Sequence, residues 1–262
     1  MKVHGVEISE DILNSLNYGK TKFYENGLEE LVGKVLKSGN FTYSKELKRS
    51  ILPQTFIITV GTPIDKTLES YPMNVRSITT VVEQIKNNLI DEDLILLRST
   101  VKINTTEDLI KPILDQAKKR YYLAFAPERT LEEKAIEELK ILPQIVGGVD
   151  MESTNKAKEF FEKIGNKVIA MENSKAAEMA KLLCNIQRDV KFGFFNEVRL
   201  LCEAVGLNAL EVINACNHDY PRSDIALPAP VGEPCLEKDT YILAEGLKEY
   251  NYTPLIALAA RN

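Results

Sequence analysis

The 262 residues hold thirteen glycines but no G-x-G pair. The dinucleotide fingerprint, which needs that pair, is therefore absent from them, and so is the P-loop pattern G-x-x-x-x-G-K-[ST], whose glycines let the backbone close around phosphates. No apolar run approaches the roughly 20 residues that cross a bilayer; the run at 255–260 is among the longest. The first residues, MKVHG, lead straight to Glu7 and Asp11 without a charged-then-apolar leader, so no secretory signal is expected and the expected address is cytoplasmic. No Lys/Arg-rich block exists, and 33 basic against 38 acidic residues give a net charge of −5. Nucleic acid and anionic membrane are accordingly poor candidates as partners, and an anionic ligand would need locally placed Arg or Lys. The four cysteines, Cys184, Cys202, Cys216 and Cys235, show no C-x-x-C spacing. They read as core thiols plus one reactive one, and no metal is expected. With two histidines in all, proton transfer falls to carboxylates, lysine or water; His4, in a strand-like run, reads as structural.

What is present is ordinary for a globular chain, 44% hydrophobic and 27% charged. Short β-branched runs at 3–8, 56–60, 94–97, 122–125, 145–146 and 168–169 alternate with helical spacing at 9–16, 25–37, 75–88, 106–118 and 153–164, the last capped by Gly165. This alternation predicts a parallel α/β sheet. From about 174 the strand-like runs stop. Ala177, Ala180, Leu183, Cys184, Gln187, Val190, Phe194, Val198, Leu201 and Val205 recur every three or four residues, which predicts one helix of roughly eight turns. Shorter helices follow near 209–216, 240–250 and 254–261, and the proline-rich 221–234 is a loop. The expected domains are 1–172 and 173–262. A long helix with two apolar faces commonly buries one of them in a second subunit, so a homodimer through 174–205 is expected.

Four constellations carry chemistry. Cys235 lies in a loop with Lys238 and Asp239 within the next turn, the combination that covalent thiol chemistry needs, although a surface loop with an incidental cysteine has the same sequence. Lys181 and Asn185 lie four apart on the long helix with Arg188 beyond them, able to face an oxyanion and a phosphate, or solvent. The segments Arg98-Ser99-Thr100 and Gly61-Thr62-Pro63 follow strands, where open α/β sheets bind ligands and where ordinary caps also occur. Pro127-Glu128-Arg129-Thr130-Leu131-Glu132 follows another strand.

In order, "GVEIS" with "LNYGKTKFYENGLEELV", "VGTPID", "LLRSTV" with "TTE", "APERTLEEKAIEELKILPQIVGG", "EMAKLLCNIQRDVKFGFFNEVRLLCEAVGLNALEVI" and "PCLEKD" resemble the nucleotide-sugar 6-dehydrogenases, the group containing UDP-glucose and UDP-N-acetylhexosamine dehydrogenases. The match runs from Gly5 to about Arg261. "PERTLEEKA" and "NIQRDV" resemble the UDP-N-acetylmannosamine branch more than the glucose branch. The resemblance implies oxidation of a UDP-sugar's primary hydroxyl to a carboxylate, in two hydride transfers to NAD, through a Cys-linked thiohemiacetal and thioester.

By position it implies Cys235 as nucleophile, Lys181 and Asn185 on the oxyanion, Asp239 assisting proton transfer through water, and Glu132 orienting the hydrolytic water. Glu7 would bind an adenosine ribose, and Thr62, Thr100 and Lys238 would touch the cofactor. Arg129, Thr130, Arg188, Arg222 and Gly232, with Lys181 and Asn185, would touch the substrate. The family pattern also has a first strand, a G-x-G-x-x-G turn and a helix ahead of 3–8, a third α/β domain after 261, and glycines where Glu133 and Glu233 stand; the loop before Cys235 is one residue shorter than in that pattern. The expected fold is thus an incomplete Rossmann-like parallel sheet followed by an all-helical dimerisation domain. The rival readings are a non-catalytic or truncated dimerising fragment, a UDP-glucose 6-dehydrogenase and a β-hydroxyacid dehydrogenase, against which "PCLEKD" speaks.

Overall fold

A computed structural model describes residues 1–231 and 235–261. The chain divides into two compact units, one of Met1–Thr59, Ile78–Arg98 and Thr106–Ala177, the other of Val60–Ser77, Ser99–Thr105 and Glu178–Asn262.

In the first unit, Val3–Val6 (β1) and Phe41–Ser44 (β2) form a parallel pair around Glu10–Asn17 (α1) and Leu28–Lys37 (α2). A second sheet has the order β3-β4-β5-β6-β7, from Thr55–Ile58, Asp93–Leu97, Tyr121–Phe125, Gln144–Gly148 and Val168–Ala170. Arg76–Lys86 (α3), Lys111–Asp115 (α4), Ala135–Ile141 (α5) and Met151–Lys163 (α6) connect its strands. Every residue of β4 is buried. Leu94 and Leu96 pack with Tyr122, Ala124, Val146, Ala157 and Phe161 on one face, while the alternate residues Ile95, Leu97, Leu123 and Phe125 are fully buried on the other. Covering both faces is why these strands read as continuous apolar runs.

The α/β class and the expected strands hold, with three differences. The strand β2, FTYS, is too short and polar to announce itself; it forms because β1 offers it a ladder, and His4 of β1 bonds the Thr42 and Ser44 hydroxyls at 2.8 and 2.9 Å. The helix expected at 106–118 begins as a π-helical turn, Thr105–Ile110. The sheet is not wholly parallel, since β6 runs antiparallel to β5, pairing Ala124 with Gly148. Gly148 suits that crossing: a Cβ there would lie 2.4 Å from the Thr154 nitrogen. Gly165 caps α6 at φ +94, as its position predicts.

In the doubly wound order 3-2-1-4-5-6, β2-β1 correspond to 3-2 and β3-β4-β5 to 4-5-6. No described residue fills the place of strand 1, so β1 and β3 are both edges. The sheet is Rossmann-like and incomplete at that place.

The second unit contains nearly all of Ser174–Ala204 (α7), then Ala209–Asn217 (α8), Leu236–Leu247 (α9) and Leu255–Ala259 (α10). Its helices pack through polar rungs. Asn185 donates to Asp239 at 2.6 Å, and one turn along α7 the Thr240 hydroxyl donates to Asp189 at 3.2 Å, Asp189 also pairing with Arg261 at 2.8 Å. Glu245 of α9 accepts the Met73 N–H at 2.7 Å and pairs with Lys102 at 3.3 Å, which ties α9 to the two short segments of this unit. Among the described residues no helix is long and apolar enough to cross a membrane.

Candidate active site

The second unit holds most of the sequence-derived candidates, among them Cys235, Lys238, Asp239, Lys181 and Asn185. α9 starts at Leu236 rather than near 240, which leaves Cys235 exposed at its N-cap. The Cys235 carbonyl accepts the Asp239 N–H at 3.1 Å, so thiol and carboxylate lie one turn apart. Asp239 is 1% exposed. Its Oδ2 accepts from Asn185 Nδ2 at 2.6 Å and its Oδ1 from Lys238 Nζ at 2.7 Å. Lys181, one turn before Asn185 on α7, is 8% exposed. Burial holds its ammonium below the ordinary lysine value, against the opposing pull of Asp239 and of the Cys235 and Cys184 thiols. A buried cation, a buried amide and a carboxylate at the end of a thiol-bearing helix form an arrangement suited to covalent addition at a carbonyl, with donors for the oxygen that becomes negative.

The buried row of α7 is Ala177, Glu178, Lys181, Leu182, Asn185, Ile186 and Asp189. The apolar residues picked out by periodicity fall largely elsewhere, with Leu183, Phe194, Leu201 and Val205 at 50, 49, 57 and 70% exposed. Arg188 is half-buried. Arg222, in the exposed 221–231 stretch, lies over the Tyr220 ring at 4.6 Å with its Nε on the Tyr220 hydroxyl at 3.1 Å. Thr62 is buried, its hydroxyl donating to the Thr100 carbonyl at 2.6 Å. Lys238, assigned to the cofactor by resemblance, is paired with Asp239. Gly232 and Glu233 lie outside the described residues.

The first unit holds the others. Glu7 stands at the C-terminal end of β1, its Oε1 accepting the Ser9 N–H at 2.8 Å. Arg129, Thr130 and Glu132 lie on the loop after β5, where Arg129 donates to the Pro143 carbonyl. Glu128 fixes the start of that loop: its Oε1 accepts the N–H groups of Arg129 and Thr130 at 2.7 and 3.0 Å, and its Oε2 meets Arg98 at 2.6 Å. Burial alone would raise the Glu128 carboxyl, but Arg98 and these two N–H groups outweigh it and hold it below the ordinary glutamate value. Arg98 also donates to Gln144 at 3.1 Å and lies over the Phe161 ring at 5.3 Å. No spacing reveals this anchor, because its members are 30 and 46 residues apart and meet only where neighbouring strands end.

Residues 1–165 match the UDP-glucose/GDP-mannose dehydrogenase family, NAD binding domain, and residues 175–262 match that family's central domain. The UDP-N-acetyl-D-mannosamine dehydrogenase of Methanocaldococcus jannaschii is 32% identical over 247 residues, 94% of this chain and 56% of that protein. That of Campylobacter jejuni is 30% identical over 93% of this chain and 61% of its own length. The solved UDP-D-ManNAc dehydrogenase of Pyrococcus horikoshii superposes with a TM-score of 0.88 at 28% identity, covering 99% of this chain and 62% of that one. The chain thus spans little more than half the length of the curated relatives it matches. With both family domains matched in sequence order, the chain belongs to the UDP-glucose/GDP-mannose dehydrogenase family.

Proposed function

We propose that the chain oxidises the primary hydroxyl of a UDP-sugar, UDP-N-acetylmannosamine in the first instance, to the carboxylate with NAD, using a cofactor domain over 1–172 and a helical domain over 173–262. The observation that carries this reading is the cluster in which α9 presents Cys235 and Asp239, and α7 presents Lys181 and Asn185. A carboxylate at the end of β1 suits the hydroxyls of an adenosine ribose, so Glu7 fits that part of NAD. Thr62, Thr100 and Lys238 would hold the remainder, without a G-x-G turn among these residues. NAD, when bound, supplies the hydride acceptor for the alcohol and again for the thiohemiacetal.

Cys235 sulfur adds to the aldehyde carbon, and the carbonyl π electrons pass to oxygen. The Lys181 ammonium and the Asn185 amide stabilise the oxyanion, and Asp239 keeps Asn185 oriented while relaying a proton through water. Once the thioester stands, Glu132 orients water onto its carbonyl carbon, the C–S bond breaks, and the Cys235 thiolate leaves. Arg129, Thr130, Arg188, Arg222 and Gly232 are assigned to the sugar and its phosphates.

The test is NADH formation by the purified chain with UDP-N-acetylmannosamine and with UDP-glucose, with the product identified by mass spectrometry. Cys235→Ala should lower carboxylate formation by about 10³-fold or more, since a covalent route is removed. Equal carboxylate yield in Cys235→Ala overturns the covalent route. Absence of NADH with the native chain favours a dimerising, non-catalytic chain instead.

A second copy of the chain is assigned to the exposed apolar row of α7. Light scattering after size exclusion should give twice the chain mass, and Leu201→Glu should give the single mass; a native monomer at micromolar concentration overturns the assignment.

A further inference from the structure

The loop 128–135 carries Arg129, Thr130 and Glu132, and carboxylates from three places hold its backbone. Glu128 takes the Arg129 and Thr130 N–H groups, and Glu138 of α5 takes that of Leu131 at 2.7 Å. The third carboxylate comes from 108 residues earlier: Glu25 Oε2 accepts the Glu133 N–H at 2.9 Å, and its Oε1 accepts the Ala135 N–H at 3.0 Å. Beside it, Asn26 Nδ2 donates to the Glu133 carbonyl at 2.8 Å, and the Tyr24 hydroxyl steadies Asn26 Oδ1 at 2.6 Å. Both backbone polar groups of Glu133 are therefore fixed by the segment just before α2.

Glu133 needs that support, because its φ is +66, in the left-handed region. A side chain with a Cβ is held there only when its surroundings over-determine the conformation. Glu132 immediately precedes it, so the direction in which Glu132 leaves the backbone depends on Glu133 keeping this conformation. We propose that Glu25 is a positioning residue: by accepting the Glu133 and Ala135 N–H groups it holds the left-handed turn that aims Glu132, while Glu128 independently holds Arg129 and Thr130. A carboxylate is required, since two N–H donors need two acceptor oxygens. Glutamine would turn an NH₂ group against one of them.

Amide hydrogen exchange of the full chain reads the turn directly. In Glu25→Gln the Glu133 and Ala135 amides should exchange at least about tenfold faster while those of Leu123 and Phe125 are unchanged, because local opening is separate from unfolding of the sheet. Glycine takes φ > 0 without penalty, so adding Glu133→Gly should restore Ala135 toward the native rate. The kinetic arm rests on the oxidation proposed above. Glu25→Gln should lower kcat about tenfold with KM for the UDP-sugar within about twofold, since Glu132 and not Arg129 or Thr130 is displaced, and Glu133→Gly should restore kcat. Unchanged exchange at Glu133 and Ala135 overturns the proposal. So does acceleration spread equally into Leu123 and Phe125 without rescue by Glu133→Gly, which would make Glu25 a general support of the fold. A native chain that forms no NADH counts against the oxidation, and the exchange pattern then decides the role of Glu25 by itself.

Discussion

Asp239→Ala should lower the free energy of unfolding by about 3–5 kcal/mol, the cost of removing one partner from a buried ionic cluster. The carboxylate is 1% exposed, two side chains, Lys238 and Asn185, donate to it, and its charge acts on the buried Lys181 ammonium. Truncation leaves the 8%-exposed Lys181 without its principal opposing charge and Asn185 Nδ2 without its acceptor. The next rung, from Thr240 of α9 to Asp189 one turn along α7, remains but is longer at 3.2 Å. Urea unfolding is the measurement, with an unchanged m-value required so that the midpoint shift reports stability. Asp239→Asn should fall between the native chain and alanine: it retains an oxygen toward Asn185 but sets an NH₂ group against the Lys238 ammonium. A loss below about 1 kcal/mol in Asp239→Ala would match an exposed ion pair instead and would remove the electrostatic argument for this cluster.

Some elements legible in the sequence are marked by burial, and others, such as α1 and α2 with no buried residue, by amphipathic spacing alone. β4 and β5, covered on both faces, stand out as apolar runs, and Gly165 marks the end of α6. β2 and α5 were not legible, the first because FTYS lacks an apolar pattern, the second because its seven residues make only about two turns, too few to establish a helical period. The long helix shows the difficulty more sharply. Its length was readable, but the apolar stripe does not identify the inward face: Leu183, Leu201 and Val205 are exposed, while Glu178, Lys181, Asn185 and Asp189 are buried. A helix that builds a site turns polar residues inward, so hydrophobic periodicity here reports an exposed face of α7 instead of its buried one. The candidate residues were found through ordered motifs, not through amphipathicity. The supports beneath them, Glu25, Arg98 and Glu128, were hidden because each works through backbone N–H groups or a strand-end neighbour that spacing does not encode.

Lys181→Met should separate stability from chemistry in opposite directions. Burial depresses the lysine's proton affinity despite Asp239, so the folded state disfavours this charge relative to the unfolded chain, and an apolar side chain of similar length removes that cost. The thermal midpoint at neutral pH should therefore rise. The pH dependence gives the sign independently. Between the lowered folded value and the ordinary 10.5, the unfolded chain holds a proton that the native chain has released, so native stability climbs with pH through that window. Below the folded value both states are protonated and the cost of burying the charge is constant. Lys181→Met should flatten that alkaline climb while leaving the acid limb, where carboxylates such as Glu128 protonate, in place. In the proposed oxidation the same substitution removes a buried donor from the developing oxyanion and should lower kcat by about 10²–10³-fold. A lower midpoint together with near-native turnover would mean that the Lys181 ammonium pairs with Asp239 for the sake of the fold alone.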